Sequence, residues 1–224
     1  MIAEMRSGCG TIDEEEDAIS VSAAILAGGR SVRLGRDKAS VQLAGETLLD
    51  RVVRMMSCLS DDVIVVVRPG QARVVVDARI LMDAAPHVGV MAAIATILAE
   101  AHYGWSFVAA CDMPFISLGL VRYMISLTHG YDVVVPQLEV GLEPLHALYH
   151  KRCLPALRKA LARGERRVIS FYGELRVRYI SLSEMRPYDP LGRSFFNINT
   201  AEDLNRAEEW IRSTSRRGLK SEPT

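Results

Sequence analysis

The sequence predicts an α/β layered domain whose central sheet is largely parallel, and three observations carry that expectation. Short apolar runs of strand character alternate along the chain with segments of helical period, the order expected when helices cover a sheet. One of those runs, Val63-Ile64-Val65-Val66-Val67, is unbroken and β-branched, the pattern of a strand buried on both faces. The residues with chemical potential fall just past strands, in the loop after the first one and at Asp83 and Asp112. Open parallel sheets bind ligands beyond the carboxyl ends of their strands.

Taken in order, Ile19 to Ala27 reads as the first strand. From Thr47, the apolar positions Leu48, Leu49, Val52, Val53 and Met56 recur at helical spacing. The Val63–Val67 strand stops at Arg68-Pro69-Gly70, a turn signal. Arg79 to Met82 is a short third strand ending at Asp83, and Gly89 opens a helix to about Ala101 that is apolar nearly all round. Trp105 to Ala110 is a strand terminated by Cys111-Asp112-Met113-Pro114, followed by a helix from about Leu118 to Thr128. Tyr131 to Pro136 is a strand, and Leu145, Ala147 and Tyr149 alternate as if in another. Leu154 to Ala162 reads as helix and Val177 to Leu182 as strand. Thr200 begins a final helix with Glu202 and Asp203 in its first turn, where carboxylates complement the helix dipole.

The length of 224 residues suits one domain, placed at residues 19–212. Residues 1–18 carry Asp13 to Asp17 with little apolar content and read as a mobile acidic extension. Residues 213–224 read as a polar, fraying tail. Lys plus Arg balances Asp plus Glu, 27 against 27, so no net field draws the chain to nucleic acid or anionic lipid. Cys9, Cys58, Cys111 and Cys153 are scattered without metal-ligand spacing, which argues against a zinc site and a secreted disulfide framework. No apolar run approaches the ~18 residues of a membrane span, and no signal-peptide pattern opens the chain. A cytoplasmic protein with reduced thiols is the expectation.

The loop after the first strand carries the chemistry. Gly28 and Gly29 let the backbone take positive φ or come close to a bound group. Successive backbone N–H groups can form a nest for anionic oxygens, and Arg30, Arg33, Arg36 and Lys38 surround it with positive charge. A P-loop is excluded because Gly35 is followed by Arg36-Asp37-Lys38, which misplaces the lysine. A dinucleotide fingerprint is excluded by the adjacent glycines. Asp112, just past a buried strand, is placed either to hold Mg²⁺ beside phosphates or to cap the turn before Met113-Pro114. Lys38 can bind phosphate oxygens as a compact point charge. Asp83 can accept two N–H bonds from a guanine edge, bind a ribose hydroxyl, or cap the turn toward Gly89.

The whole of Leu26 to Lys38 fits L-A-G-G-x-S-x-R-x-G-x-D-K, and it resembles the molybdenum cofactor guanylyltransferases among the nucleotidyltransferases. Three further stretches extend the resemblance across roughly Ile19 to Trp210. Glu165-Arg166-Arg167-Val168 matches the family's G-E-R-R-V, and FNINTAEDL from Phe196 to Leu204 matches its F-x-N-x-N-T-P-E-E-L. EPLHALYH from Glu143 looks like its substrate-side stretch. The resemblance implies a single three-layer, Rossmann-like nucleotidyltransferase domain with a mixed, mostly parallel sheet. It implies Mg²⁺-dependent transfer of GMP from GTP to molybdopterin, with release of pyrophosphate and transient contacts with other proteins of cofactor synthesis or delivery.

By that resemblance Leu26, Ala27, Gly28 and Gly29 contact the nucleotide, Lys38 its phosphates, Asp83 its guanosine part and Asp112 the Mg²⁺. Lys38, Asp112 and Arg33 are then the catalytic set, and Asn197 and Asn199 lie toward the pterin. The two asparagines alternate, so in an extended segment both side chains point one way, although either could instead cap the final helix. The family's G-P-L-x-G is Gly89-Val90-Met91-Ala92-Ala93 here, and Val66 stands near a position that is often polar; both departures bear on base selectivity. A cytidylyltransferase on the same scaffold is the nearby alternative, though such enzymes tend to carry L-A-A-G. A non-catalytic nucleotide-binding protein is the other, and intact Lys38 and Asp112 argue against it.

Overall fold

The computed structural model describes residues 19–28, 30–31, 36–71, 76–83 and 89–218. Eight strands make the central sheet: β1 (Val21–Leu26), β2 (Val63–Val67), β3 (Arg79–Met82), β4 (Trp105–Ala110), β5 (Val133–Leu138), β6 (Gly141–Leu142), β7 (His146–His150) and β8 (Val177–Ile180). Their order is β6-β5-β7-β4-β1-β2-β3, with β8 beside β5. β4, β1, β2 and β3 run parallel, whereas β7 is antiparallel to both β4 and β5. The sheet is therefore mixed and mostly parallel.

Among the described residues there are six α-helices: α1 (Leu48–Ser57), α2 (Val90–Glu100), α3 (Leu118–Ser126), α4 (Leu154–Ala162), the single turn α5 (Leu182–Met185) and α6 (Ala201–Gly218), the last packed on a small separate core with Val41, Leu43 and Leu48. Alternation along the strands sorts the core into two layers. Ala23 and Ile25 of β1 and Phe107 of β4 pack with Leu49, Val52, Met56, Leu120 and Met124 from α1 and α3. Ala24, Ile64, Val66 and Val108 face the other way, onto Met91, Ile94, Ile97 and Leu157 from α2 and α4. The unbroken β-branched run of β2 is buried at every position because it feeds both layers.

The last strand ends at Ile180, short of the expected Leu182, because Ser181 and Glu184 form a capping box that starts α5. Helix α6 continues to Gly218, past the expected tail boundary at Ser213. Residues 1–18, read as an acidic extension, lie outside the described residues, as do 219–224. Among the described residues no helix is long and apolar enough to cross a membrane.

Candidate active site

A cleft of about 400 Å³ opens at the carboxyl ends of the parallel strands. Leu26 and Gly28 line it from the end of β1, Val66 to Arg68 from β2, Asp83 from β3, and Ala110 to Met113 from β4. Gly89, Val90 and Ala93 close it along the start of α2, and Glu143, Leu145 and Asn197 close it on the opposite side.

Three side chains separated widely in sequence converge at its edge. Lys38 begins a short 3-10 turn whose next residue, Ala39, is buried in the core, which fixes the lysine's base. Its ammonium donates to Asp112 Oδ2 at 2.5 Å and to Asn199 Oδ1 at 2.5 Å. Asp112 follows the buried β4, and its own carbonyl accepts from Ile198 N at 3.0 Å. That bond docks the Asn197-Ile198-Asn199 segment beside β4. Ile198 turns away into a small core with Val41, Leu43, Leu48 and Ala207, so the flanking asparagines turn toward the site. Thr200 and Asp203 then cap α6, with Thr200 Oγ1 accepting from Asp203 N and Asp203 Oδ2 accepting from the N–H groups of Asn199 and Thr200.

These positions refine the expectations for the two asparagines. Asn197 lines the cleft and donates to Phe195 O at 3.3 Å. Asn199 neither caps the helix nor pairs with Asn197; its amide oxygen belongs to the Lys38–Asp112 cluster. Leu26, Gly28, Lys38, Asp83 and Asp112 all line the cleft. Ala27 does not; it is fully buried, donates to Val66 O and accepts from Gln71 Nε2 at 2.9 Å. Gly29 and Arg33 lie outside the described residues, as does His87.

Gly28 is needed for close approach, and not for positive φ, which it does not have. A Cβ there would stand 2.9 Å from Arg68 Cγ and 3.1 Å from Arg68 Nε. Arg68 was legible in the sequence only as part of a turn. Glu143 was legible only as the first residue of a motif, yet it reaches the cleft. Burial raises its carboxyl above the ordinary range, the N–H of Leu145 works against that rise, and the nearby charge of Asp112 adds to it. Among the described residues no histidine lines the cleft: His146 is sealed between Phe107 and Phe195, and His150 Nδ1 accepts from Arg152 N. Glu165, Arg166, Arg167 and Val168 do not line it either.

A hard divalent cation fits this set of donors. Lys38 Nζ already occupies a point shared by a carboxylate oxygen and an amide oxygen, and Mg²⁺ takes such oxygen ligands together with phosphates and water. Among the described residues no group of three or more His, Cys, Asp or Glu could hold a metal by itself, so zinc-type ligation is not offered.

Comparison with known proteins places the chain in a family and agrees with the fold. The family model described as the MobA-like NTP transferase domain matches residues 23–177. A molybdenum cofactor guanylyltransferase of Desulfosudis oleivorans is 36% identical over 87% of this chain and 97% of its own. A probable one from Pelotomaculum thermopropionicum is 35% identical over 84% of this chain and 92% of its own. The crystal structure of molybdopterin-guanine dinucleotide biosynthesis protein A from Archaeoglobus fulgidus superposes with a TM-score of 0.75 at 31% identity, covering 86% of this chain and 100% of that one.

Proposed function

The chain belongs to the MobA-like NTP transferase family, and on that premise we propose that it transfers GMP from GTP to molybdopterin and releases pyrophosphate. The observation that carries the reading is the Lys38–Asp112–Asn199 cluster at the edge of a nucleotide-sized cleft. Transfer needs an anionic nucleophile to approach an anionic triphosphate, and positive charge held in place at that point offsets their repulsion.

The phosphate monoester of molybdopterin is the nucleophile. One of its oxygens bonds to the α-phosphorus of GTP while the bond from that phosphorus to the bridging oxygen breaks, and pyrophosphate leaves with the electron pair. A monoester is already anionic near neutral pH, so no general base is required, and among the described residues no histidine lines the cleft. Asp112 and Asn199 would hold Mg²⁺, which supplies Lewis-acid neutralisation of the phosphate oxygens when bound. Lys38, released from those two oxygens, turns its ammonium to the triphosphate. Arg33 would add charge from the loop. Asp83 takes the guanosine side of the cleft, and Asn197 and Glu143 take the pterin side.

Pyrophosphate release measured with each of the four NTPs, with and without molybdopterin, tests the reading. GTP alone should support release, and only when molybdopterin is present. Equal turnover with CTP would replace the guanylyl assignment by a cytidylyl one.

A further inference from the structure

The guanylyl reading leaves base selectivity to be explained, because the side of the cleft toward β2 and β3 is floored by Val66, Val67, Val90 and Ala93. Those side chains can stack against a ring but form no hydrogen bonds. Two cleft residues on that side can. Val67 pairs with Met82 in the parallel register, and Asp83 N donates to Val67 O at 2.8 Å. Arg68 and Asp83 are thus the next residues on neighbouring strands, about 4.8 Å apart along the hydrogen-bonding direction. Both line the cleft.

Arg68 is held in place more firmly than an exposed arginine needs to be. Its N–H donates to Gln71 Oε1 at 3.1 Å, Gln71 N returns a bond to Arg68 O at 3.1 Å, and Gln71 Nε2 donates to Ala27 O at 2.9 Å. The turn is therefore pinned to the first loop. Its side-chain stem lies across Gly28, in the space a Cβ would take. Arg54, Arg79, Arg163, Arg176 and Arg178 all have carboxylate partners, whereas the Arg68 guanidinium has none among the described residues.

We propose that Arg68 reads the O6 and N7 edge of the guanine base, working beside Asp83 on the N1 and 2-amino edge. This rests on the guanylyl reading above. The chemistry is complementary: a guanidinium only donates, a carboxylate only accepts, and guanine presents two acceptors on one edge and two donors on the next. Adenine turns its 6-amino donor toward the arginine and loses one of the two bonds. Selectivity in this chain then comes from a cationic fork at the end of β2.

Equilibrium titration with GTP, 7-deaza-GTP, inosine triphosphate, ATP and CTP tests the proposal on the wild-type protein and on Arg68→Ala and Arg68→Lys. The wild type should bind GTP roughly tenfold more tightly than 7-deaza-GTP, which lacks only the N7 acceptor, and ATP, which also lacks the N1–H and 2-amino donors that face Asp83, more weakly still. Arg68→Ala should weaken GTP and bind it no more tightly than 7-deaza-GTP, while leaving the penalty for inosine triphosphate, which lacks the 2-amino group. Arg68→Lys keeps the charge but not the fork, so it too should lose the preference. An equal loss for every nucleotide in Arg68→Ala would assign Arg68 to the phosphates and overturn the proposal, as would a wild type that does not distinguish GTP from 7-deaza-GTP. Wild-type binding of CTP as tight as GTP would instead overturn the guanylyl reading on which it rests.

Discussion

Asp62 and Asp112 are buried to nearly the same degree, 4% and 7% exposed, and stand at opposite ends of the sheet. Asp62 precedes β2 and is surrounded by donors. Ser22 Oγ reaches it at 2.5 Å, Arg79 Nη2 at 2.7 Å, Arg79 Nε at 3.2 Å and His102 N at 2.8 Å. Burial works against its charge, but the bonds from Ser22, the His102 backbone and Arg79 outweigh it and hold the carboxyl below the ordinary range. Asp112 follows β4, and among the described residues its carboxylate meets one ammonium, that of Lys38, at the end of a long flexible side chain. A carboxylate whose partners are all fixed locks strands together. One whose single partner can swing away is ready to exchange it for a ligand.

That contrast is broken most severely at Asp62. Asp62→Ala removes the acceptor of several buried donors and should cost about 3 kcal/mol of folding stability, read by chemical denaturation. GTP affinity of the remaining folded protein should stay unchanged, and a loss smaller than that of an ordinary surface substitution would show that the network does not hold the sheet. At the other end, Asp112→Asn keeps an oxygen for the Lys38 ammonium, so it should cost clearly less stability than Asp62→Ala while reducing turnover on the order of 10²-fold or more. Wild-type turnover at low Mg²⁺ would place the metal elsewhere.

A third change asks whether apolar packing carries the end of the molecule that bears the site. His146 lies beneath the Phe195–Asn199 segment, and burial pushes its imidazole down to about 4 despite the opposing charge of Asp189. Between about 6.5, where the unfolded imidazole titrates, and about 4, the unfolded chain binds more protons than the folded one. Stability is therefore complete above that window and falls as pH drops through it, by up to about 3 kcal/mol. His146→Phe, set among the rings of Phe107 and Phe195, should flatten this slope in denaturation series at pH 7 and pH 4.5. An unchanged slope would assign the acid sensitivity to other groups. The smallest expected effect is at Lys38: Lys38→Ala should weaken GTP roughly tenfold and GMP less, and equal losses would contradict a phosphate role.

The comparison also separates what the sequence could and could not carry. Most strands and helices were legible because each is a local pattern: apolar runs for β1 and β4, a β-branched run for β2, and the spacing of Leu48, Leu49, Val52, Val53 and Met56 for α1. Asp112 and Lys38 were legible because each sits in a motif just past a strand. The contact of Lys38 with Asn199 spans 161 positions, and only the docking of Ile198 on Asp112 brings them together. The network of Asp62 draws on Ser22, Arg79 and His102, none of which is marked locally. Arg68 and Glu143 were missed for the same reason. The first reads as turn punctuation until the register of β2 and β3 sets it beside Asp83, and the second reaches Asp112 only through the antiparallel return of β7.

The central claim is that the end of the sheet bearing Asp112 transfers GMP. Incubating the protein and its Asp112→Asn variant with α-labelled GTP, Mg²⁺ and molybdopterin, and following the label into a molybdopterin guanine dinucleotide, tests it most directly. The wild type should carry the label into that product with one pyrophosphate released per transfer, and the variant should form it on the order of 10²-fold more slowly. Label that stays in free nucleotide with the wild type, or that enters the product equally fast with the variant, would contradict the account.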